Sequence, residues 1–156
     1  MNIVKRDGRT EKFDIEKIHD VLFWATQGIK GVNVSDIEIK IGLQLTDGME
    51  SKTVHQILIQ SCADLITDQK PNYQHVAGNL LNFYLRKEVF NTSDNMPPLL
   101  DVIKCNIEEG VYDNTILEKY TDQEVRKLDN VIKHKRDYDF VYAGLQQLID
   151  KYLLKD

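Results

Sequence analysis

Residues 2–25 read NIVKRDGRTEKFDIEKIHDVLFWA, and this stretch decides the fold. At its centre lies Asp7-Gly8, a dipeptide that tolerates the positive φ of a tight hairpin turn. Asn2 to Lys5 and Thr10 to Phe13 flank it as two short strands. Asp14 is placed to cap a helix, and Glu16 in the first turn faces the positive end of its dipole. Ile18, Val21, Leu22 and Ala25 then recur at helical spacing and form the stripe that packs inward. Gly28 and Gly31 end the helix.

Further on, Ser35 and Glu38 have the spacing of a capping box. Ile37, Ile39, Ile41, Leu43 and Leu45 alternate, so the expectation is a short helix to about Ile41 and a third strand over Leu43–Leu45. Asp47-Gly48 is another turn, and Ser51 opens a third helix as its cap, with Val54, Leu58, Cys62 and Leu65 facing inward. A fourth helix is expected from Tyr73 to Val89, with Val76, Leu80 and Phe83 on one face. Asn91 to Pro98 (NTSDNMPP) is the one linker-like stretch. Helices follow over Leu99–Glu109, Asn114–Lys119, Thr121–Lys135 and Phe140–Leu154, and Thr121 with Glu124 forms a second capping box. The fold class is α+β and mainly helical, with a domain over residues 1–90 and an all-helical segment over 91–156.

Composition bounds the function. The chain has 156 residues, 42% apolar and 29% charged, an ordinary soluble mix. No apolar run is long enough to span a bilayer, and MNIVKRDGRT lacks the apolar core of a secretory signal. The expected compartment is the cytoplasm. Net charge is −5. Residues 1–90 hold 11 Lys/Arg against 12 Asp/Glu, and residues 91–156 hold 9 against 13. The basic footprint of a duplex-binding domain is missing, so neither nucleic acid nor membrane is an expected partner. A small anion held by a few cations remains open.

Two cysteines, Cys62 and Cys105, allow neither a disulfide framework nor a four-cysteine zinc site. Cys62 reads as core, and Cys105 has only Lys104 beside it as a source of reactivity. No phosphate-binding glycine loop, Ser/His/Asp order, carboxylate pair or HExxH is present. His19, His75 and His134 lack ligand spacing. No catalytic residue and no metal held by side chains is expected.

Four features could carry chemistry. Five cations and five anions sit in the first 20 residues. They suit a solvated hairpin charged against edge pairing. They equally suit an anion cradle, in which Lys5 and Arg6 donate to phosphate oxygens and Glu11 accepts from a base or sugar hydroxyl. The N-terminus of the following helix would add its positive dipole. Lys17 overlies an apolar stripe, which fits either a snorkelling stem or a ligand contact. Ser51 and His55 stand at i, i+4 on the third helix, either as a cap and a structural histidine or as one wall of a nucleotide pocket. Lys87 continues the Val76–Leu80–Phe83 face, and with Arg86 it also suits the negative end of the helix dipole.

The series Val4-x-Arg6-Asp7-Gly8-x-x-Glu11-x-Phe13-Asp14-x-x-Lys17-Ile18 resembles the opening motif of the ATP-cone, the allosteric domain of ribonucleotide reductase large subunits. Asp47-Gly48-Met49 with Ser51 and His55 is similar to the family segment that opens the third helix. Asn72-Tyr73-Gln74-His75-Val76-Ala77 and Leu85-Arg86-Lys87 resemble its fourth helix. Gly110-x-Tyr112-Asp113, Tyr120 and Lys151-Tyr152-Leu153-Leu154 resemble the helical region that leads into the catalytic barrel of class I enzymes of bacterial and phage type.

The resemblance implies a four-helix bundle capped by a three-stranded sheet, with an ATP or dATP site between them. Mg²⁺ would be bound through the phosphates. Lys5, Arg6 and Lys87 match phosphate-facing cations. Glu11, Lys12, Phe13, Asp14, Ile15, Glu16, Lys17 and Ile18 match the segment around base and ribose. Ser51 stands where a threonine is usual, and Asp14 where asparagine is common. His55 matches the histidine near the ribose that helps tell ATP from dATP.

The implied function is control of overall reductase activity, ATP favouring the active assembly and dATP an inhibited oligomer. The implied partners are the rest of the large subunit and the small radical-generating subunit. The family's radical-site and reducing cysteines match neither Cys62 nor Cys105, so this chain by itself is expected not to be an enzyme; it is expected to be either an excised domain, which the linker after residue 90 favours, or a free-standing regulator. The alternative is an interaction or oligomerisation domain whose cone has lost its nucleotide. A zinc-ribbon regulator carrying a cone would need four zinc-binding cysteines.

Overall fold

The computed structural model describes residues 1–153. Two compact units are present: Met1–Tyr84 together with the stretch from Tyr138 onward, and Leu85–Asp137.

The first unit starts with the hairpin. Strand β1 (Asn2–Val4) pairs antiparallel with β2 (Thr10–Lys12), in the register Asn2↔Lys12, Ile3↔Glu11 and Val4↔Thr10. The turn closes through the amide of Lys5 donating to the Arg9 carbonyl at 2.8 Å. Gly8 sits there at φ +81°, which a side chain would make costly. Helix α1 (Ile15–Thr26) follows, capped by Asp14, whose carboxylate accepts from the Glu16 amide at 3.0 Å. Ile18, Leu22 and Ala25 are buried on it.

Helix α2 (Val34–Gly42) corrects two sequence expectations. Its cap is Asn33, which accepts from the Ser35 amide, and Glu38 instead meets His19 of α1. Ser35 thus lies inside the helix, two residues after the cap, and forms no capping box. The alternating isoleucines also resolve as helix. Ile37 and Ile41 are buried while Ile39 and Leu43 are 72% and 89% exposed, so the i, i+4 period prevails over the period of two. Leu43–Leu45 is therefore no strand.

The third strand is β3 (Met49–Glu50), after the Asp47-Gly48 turn. It pairs parallel to β1, Ile3 facing Met49 and Val4 facing Glu50. The sheet order is β2-β1-β3, so β1 is central. The Asp47 carboxylate accepts from the Asn2 amide at 2.6 Å, and the Gly48 amide donates to the Asn2 carbonyl at 2.9 Å. These bonds pin a strand too short to be seen by periodicity.

Helix α3 (Ser51–Ala63) starts directly from β3, with Glu50 in the cap position and no side-chain cap bond. Ser51 is thus the first helical residue and not the cap. Val54, Leu58 and Cys62 are buried as expected, while Leu65 lies beyond the helix and is half-buried. Helix α4 (Tyr73–Phe90) supplies Val76, Ala77 and Leu80 to the same core. Polar ties fix its start. The buried Tyr73 hydroxyl accepts from the Asn33 amide at 3.0 Å and donates to Asp36 at 3.1 Å. Asn79 donates to the Ala25 carbonyl of α1 at 2.9 Å.

Helix α8 (Tyr142–Lys151) also belongs to this unit. It starts at Tyr142 and not at the expected Phe140, and ends at Lys151 with Tyr152 as its C-cap, short of the expected Leu154, which lies outside the described residues. The backbone just before α8 crosses α4 at Gly78, where an added Cβ would stand 2.6 Å from the Phe140 carbonyl oxygen.

The second unit is helical. It contains α5 (Leu99–Glu108), α6 (Thr115–Lys119) and α7 (Asp122–Asp129). Thr121 and Glu124 form the capping box of α7. The long helix expected to Lys135 stops at Asp129, and a 3-10 turn over His134–Asp139 follows. The core is small: Leu100, Ile103 and Val125, with Leu99, Ile107, Tyr112 and Leu117 around them.

Among the described residues, no helix is long and apolar enough to cross a membrane, and no three His, Cys, Asp or Glu side chains gather as a metal would need.

Candidate functional site

The hairpin brings charges together that lie apart in sequence. Alternation along β2 turns Glu11 to the half-buried face and Thr10 and Lys12 to the open one. Glu11 lies opposite Ile3, beside Lys5 at the end of β1. From α1, Lys17 reaches back one turn beyond the cap. Lys5 Nζ and Lys17 Nζ each stand 3.0 Å from the same oxygen, Glu11 Oε1. The hydrogen bonds from Lys5 and then Lys17 hold the Glu11 carboxyl below its ordinary range. Two cations on one anion leave net positive charge at this spot.

A second cluster is aromatic. Arg6 lies over the ring of Tyr84 on α4, with 5.6 Å between guanidinium carbon and ring centroid. His55 of α3 stacks on Phe83 at 5.6 Å and 22° and leans on Tyr84 at 6.3 Å. Its Nδ1 donates to the Ser51 carbonyl at 3.1 Å, one turn back in the same helix. That bond sets the ring's orientation. Phe83 in turn meets Trp24 of α1, with centroids 5.4 Å apart.

The fold therefore joins Lys5, Glu11 and Lys17 in one group, and Arg6, His55, Phe83 and Tyr84 in another, on adjoining turns of hairpin, α3 and α4. Asp14 is engaged as the α1 cap. Lys12 occupies the open face of β2, Ile15 and Glu16 are exposed at the start of α1, and Phe13 is half-buried with its amide donating to the Met1 carbonyl at 3.0 Å. Ile18 belongs to the core. Ser51 is half-buried at the N-terminus of α3. Lys87 lies in the last turn of α4, in the second unit.

Sequence reasoning missed Tyr84 and read Phe83 only as core. The missed signal was the row Val76, Leu80, Tyr84 at i, i+4, i+8, which runs beside the stripe ending at Phe83. Arg86, read as a partner for the helix dipole, is buried instead. It donates to the Ser93 and His134 carbonyls at 3.3 and 2.8 Å and pairs with Asp137 at 2.6 Å.

The cysteines offer no nucleophile. Burial pushes the Cys62 thiol up to about 12, and the charge of Glu109 raises that of Cys105. The lysine beside Cys105 is engaged with Asp122 at 3.0 Å.

A family model described as "ATP cone domain" matches residues 1–88, the stretch that contains both clusters. The chain belongs to the ATP-cone family. The cone is also similar to the alpha subunits of ribonucleoside-diphosphate reductases. It is 42% identical to ribonucleoside-diphosphate reductase 1 subunit alpha of Salmonella typhimurium over 99% of this chain and 20% of the relative. Identity to the Escherichia coli K12 protein of that name is 40% over 99% of this chain and 20% of the relative. To the alpha subunit of enterobacteria phage T4 it is 37% over 100% and 20%. The chain thus spans about a fifth of the length of these relatives.

Proposed function

We propose that the cone is a regulatory nucleotide-binding domain of a ribonucleotide reductase large subunit, taking ATP or dATP as effector. The observation that carries this reading is the convergence of Lys5 and Lys17 on Glu11 beside the Arg6–Tyr84 and His55–Phe83 contacts. A polyanion needs cations that are already gathered and only lightly held. Glu11 gathers them, and a triphosphate offers each lysine a stronger partner than half a carboxylate. The aromatic groups suit the flat face of a purine and the edge of a ribose. Family membership supports the same ligand class.

In this reading Lys5, Arg6 and Lys17 hold phosphate oxygens. Glu11, released from one lysine, accepts from base or sugar hydroxyl. Mg²⁺ is carried by the phosphates; among the described residues no three His, Cys, Asp or Glu side chains gather to hold it. Ser51 and His55 form the wall nearest the ribose. ATP and dATP differ there by a single hydroxyl, so discrimination belongs to groups at that wall. ATP favours the active state of the reductase, whose small radical-generating subunit and remaining large-subunit domains are the partners, and dATP favours the inhibited one. Each ligand shifts that equilibrium only by its different affinity for the two states.

The test is calorimetric titration of the chain with Mg·ATP and Mg·dATP, for wild type and His55→Ala. Binding should appear for both nucleotides. At a ligand concentration about 100 times the dissociation constant, the fold should gain about 2.7 kcal/mol, visible as a raised melting temperature. His55→Ala should change the ATP/dATP affinity ratio more than the mean affinity. A melting temperature unmoved by millimolar nucleotide would leave the interaction-domain alternative standing.

A further inference from the structure

The second unit carries a surface that the nucleotide reading does not use. Between residues 126 and 136 the sequence is RKLDNVIKHKR, with five Lys/Arg in a chain of net charge −5. Both acids bordering these cations are turned away from them. The Asp129 carboxylate accepts from the Leu99 amide at 3.2 Å, capping α5 from outside, and Asp137 holds the buried Arg86 at 2.6 Å. Among the described residues, Arg126, Lys127, Lys133, Lys135 and Arg136 enter no ion pair. This sets them apart from Lys5, Lys17, Lys40, Lys70 and Lys104, which are each matched to a carboxylate.

Apolar side chains stand among those cations. Leu128 is 57% and Val131 70% exposed, and Ile132 is also exposed. They lie close together, because the Val131 amide donates to the Leu128 carbonyl at 2.9 Å and the Ile132 amide to the Asp129 carbonyl at 3.1 Å. The end of α7 and these turns therefore present three exposed aliphatic groups in the same short stretch as five cations that enter no ion pair among the described residues. Water gains nothing from such an arrangement, and a solvated turn has no need of it.

We propose that this surface docks an acidic, aliphatic-bearing segment of a partner protein. Charge complementarity selects the partner's sign, and the aliphatic centre selects its class. A nucleic acid would leave the aliphatics uncovered and finds no Phe, Tyr or Trp in the stretch on which to stack its bases. The chain's overall negative charge also repels a long polyanion. A lipid surface suits a longer basic amphipathic helix than α7, whose eight residues include Asp122, Glu124 and Asp129. A peptide that sets leucines between glutamates meets both halves of the patch.

The experiment is a fluorescence-anisotropy titration of the full chain into a labelled synthetic peptide of alternating Glu-Glu and Leu-Leu pairs. Parallel arms use an oligoglutamate of equal charge, a duplex DNA oligonucleotide, and phosphatidylserine vesicles. The peptide should bind, more tightly than each of the other three, and more weakly as salt rises. The triple variant Lys133→Glu, Lys135→Glu, Arg136→Glu should lose about tenfold or more in affinity. Leu128→Ser with Val131→Ser should lose a similar factor, and Lys30→Glu, a cation elsewhere, none. All these side chains are exposed, so unchanged melting temperatures accompany the losses. The salt dependence of the wild type gives a reading that does not depend on any variant folding. No peptide binding, full binding by either patch variant, equal binding of DNA, vesicles or oligoglutamate, or self-association of the chain through this patch in sedimentation would each overturn the proposal.

Discussion

In the first unit Glu11 gathers Lys5 and Lys17 at the surface, whereas in the second Arg86 gathers two carbonyls and Asp137 in the interior. Both are one charge serving several partners, yet the physics differs. The surface group is half-solvated, so its bonds exchange readily with water or with a ligand. The buried guanidinium has no such exchange, and its bonds hold the chain between Ser93 and Asp137 to the end of α4. The reason lies in the cores. Four helices supply the first unit with buried Leu22, Ile37, Ile41, Leu58, Val76 and Leu80. The second has Leu100, Ile103 and Val125 at its centre and relies on a polar tie. A region rich in apolar packing can leave its cations at the surface.

The sharpest way to break this contrast is Arg86→Met. It removes the charge, keeps apolar length, and strands the buried Ser93 carbonyl and the partly buried His134 carbonyl. The expected loss is about 2–4 kcal/mol, reduced from a fully buried pair because Asp137 regains water. Hydrogen exchange should show amides over Ser93–Asp137 losing protection before those of α1 to α3. Equal loss in both regions would mean that Arg86 supports the whole chain and not the second unit.

Gly78→Ala tests the opposite claim, that the first unit depends on apolar and backbone packing. The added methyl would meet the Phe140 carbonyl at 2.6 Å and the Tyr142 amide at 3.1 Å, both backbone atoms that move only together. Overpacking of about 1–3 kcal/mol outweighs the roughly 1 kcal/mol that alanine gains over glycine in a helix. A net loss of up to about 2 kcal/mol in chemical denaturation is expected. A stabilised variant would show that the return segment is not held tightly against α4.

The smallest effect concerns the surface pair His19–Glu38, at 2.8 Å between α1 and α2. The hydrogen bond to Glu38 raises the affinity of His19 for its proton. The folded chain then keeps that proton to higher pH than the unfolded chain does. Its stabilising contribution is complete below the ordinary value of 6.5 and is lost as pH rises through the raised folded value. The melting temperature should fall slightly over that interval, and His19→Gln should flatten the fall. A wild-type curve that rises there would reverse the assigned sign.

Much of the fold was legible locally. The Asp7-Gly8 turn, the Asp14 cap and the Ile18–Leu22–Ala25 stripe are short-range features, and each is found where the residues put it. The Thr121–Glu124 capping box is equally local. The third strand was misplaced because five alternating aliphatics offered a false period, while the real strand, Met49–Glu50, has only two residues. No local pattern marks two residues as a strand; their partner Ile3–Val4 does. Ser51 lost its cap role for the same reason, since β3 runs straight into α3.

The candidate site divides along the same line. Residue types alone determined that Lys5, Arg6, Glu11 and Lys17 would lie near one hairpin and one helix start, because turn and cap fix them within a few residues of each other. Only the tertiary structure decided that Lys5 and Lys17 share one oxygen of Glu11, that Tyr84 lies under Arg6, and that Phe83 carries His55. It also decided that Arg86 turns inward, while among the described residues Arg126, Lys127, Lys133, Lys135 and Arg136 enter no ion pair. The physical reason is range. A turn or a cap is settled by bonds among neighbouring residues, but which aromatic meets which cation depends on how helices distant in sequence are packed, and that packing is a property of the whole core.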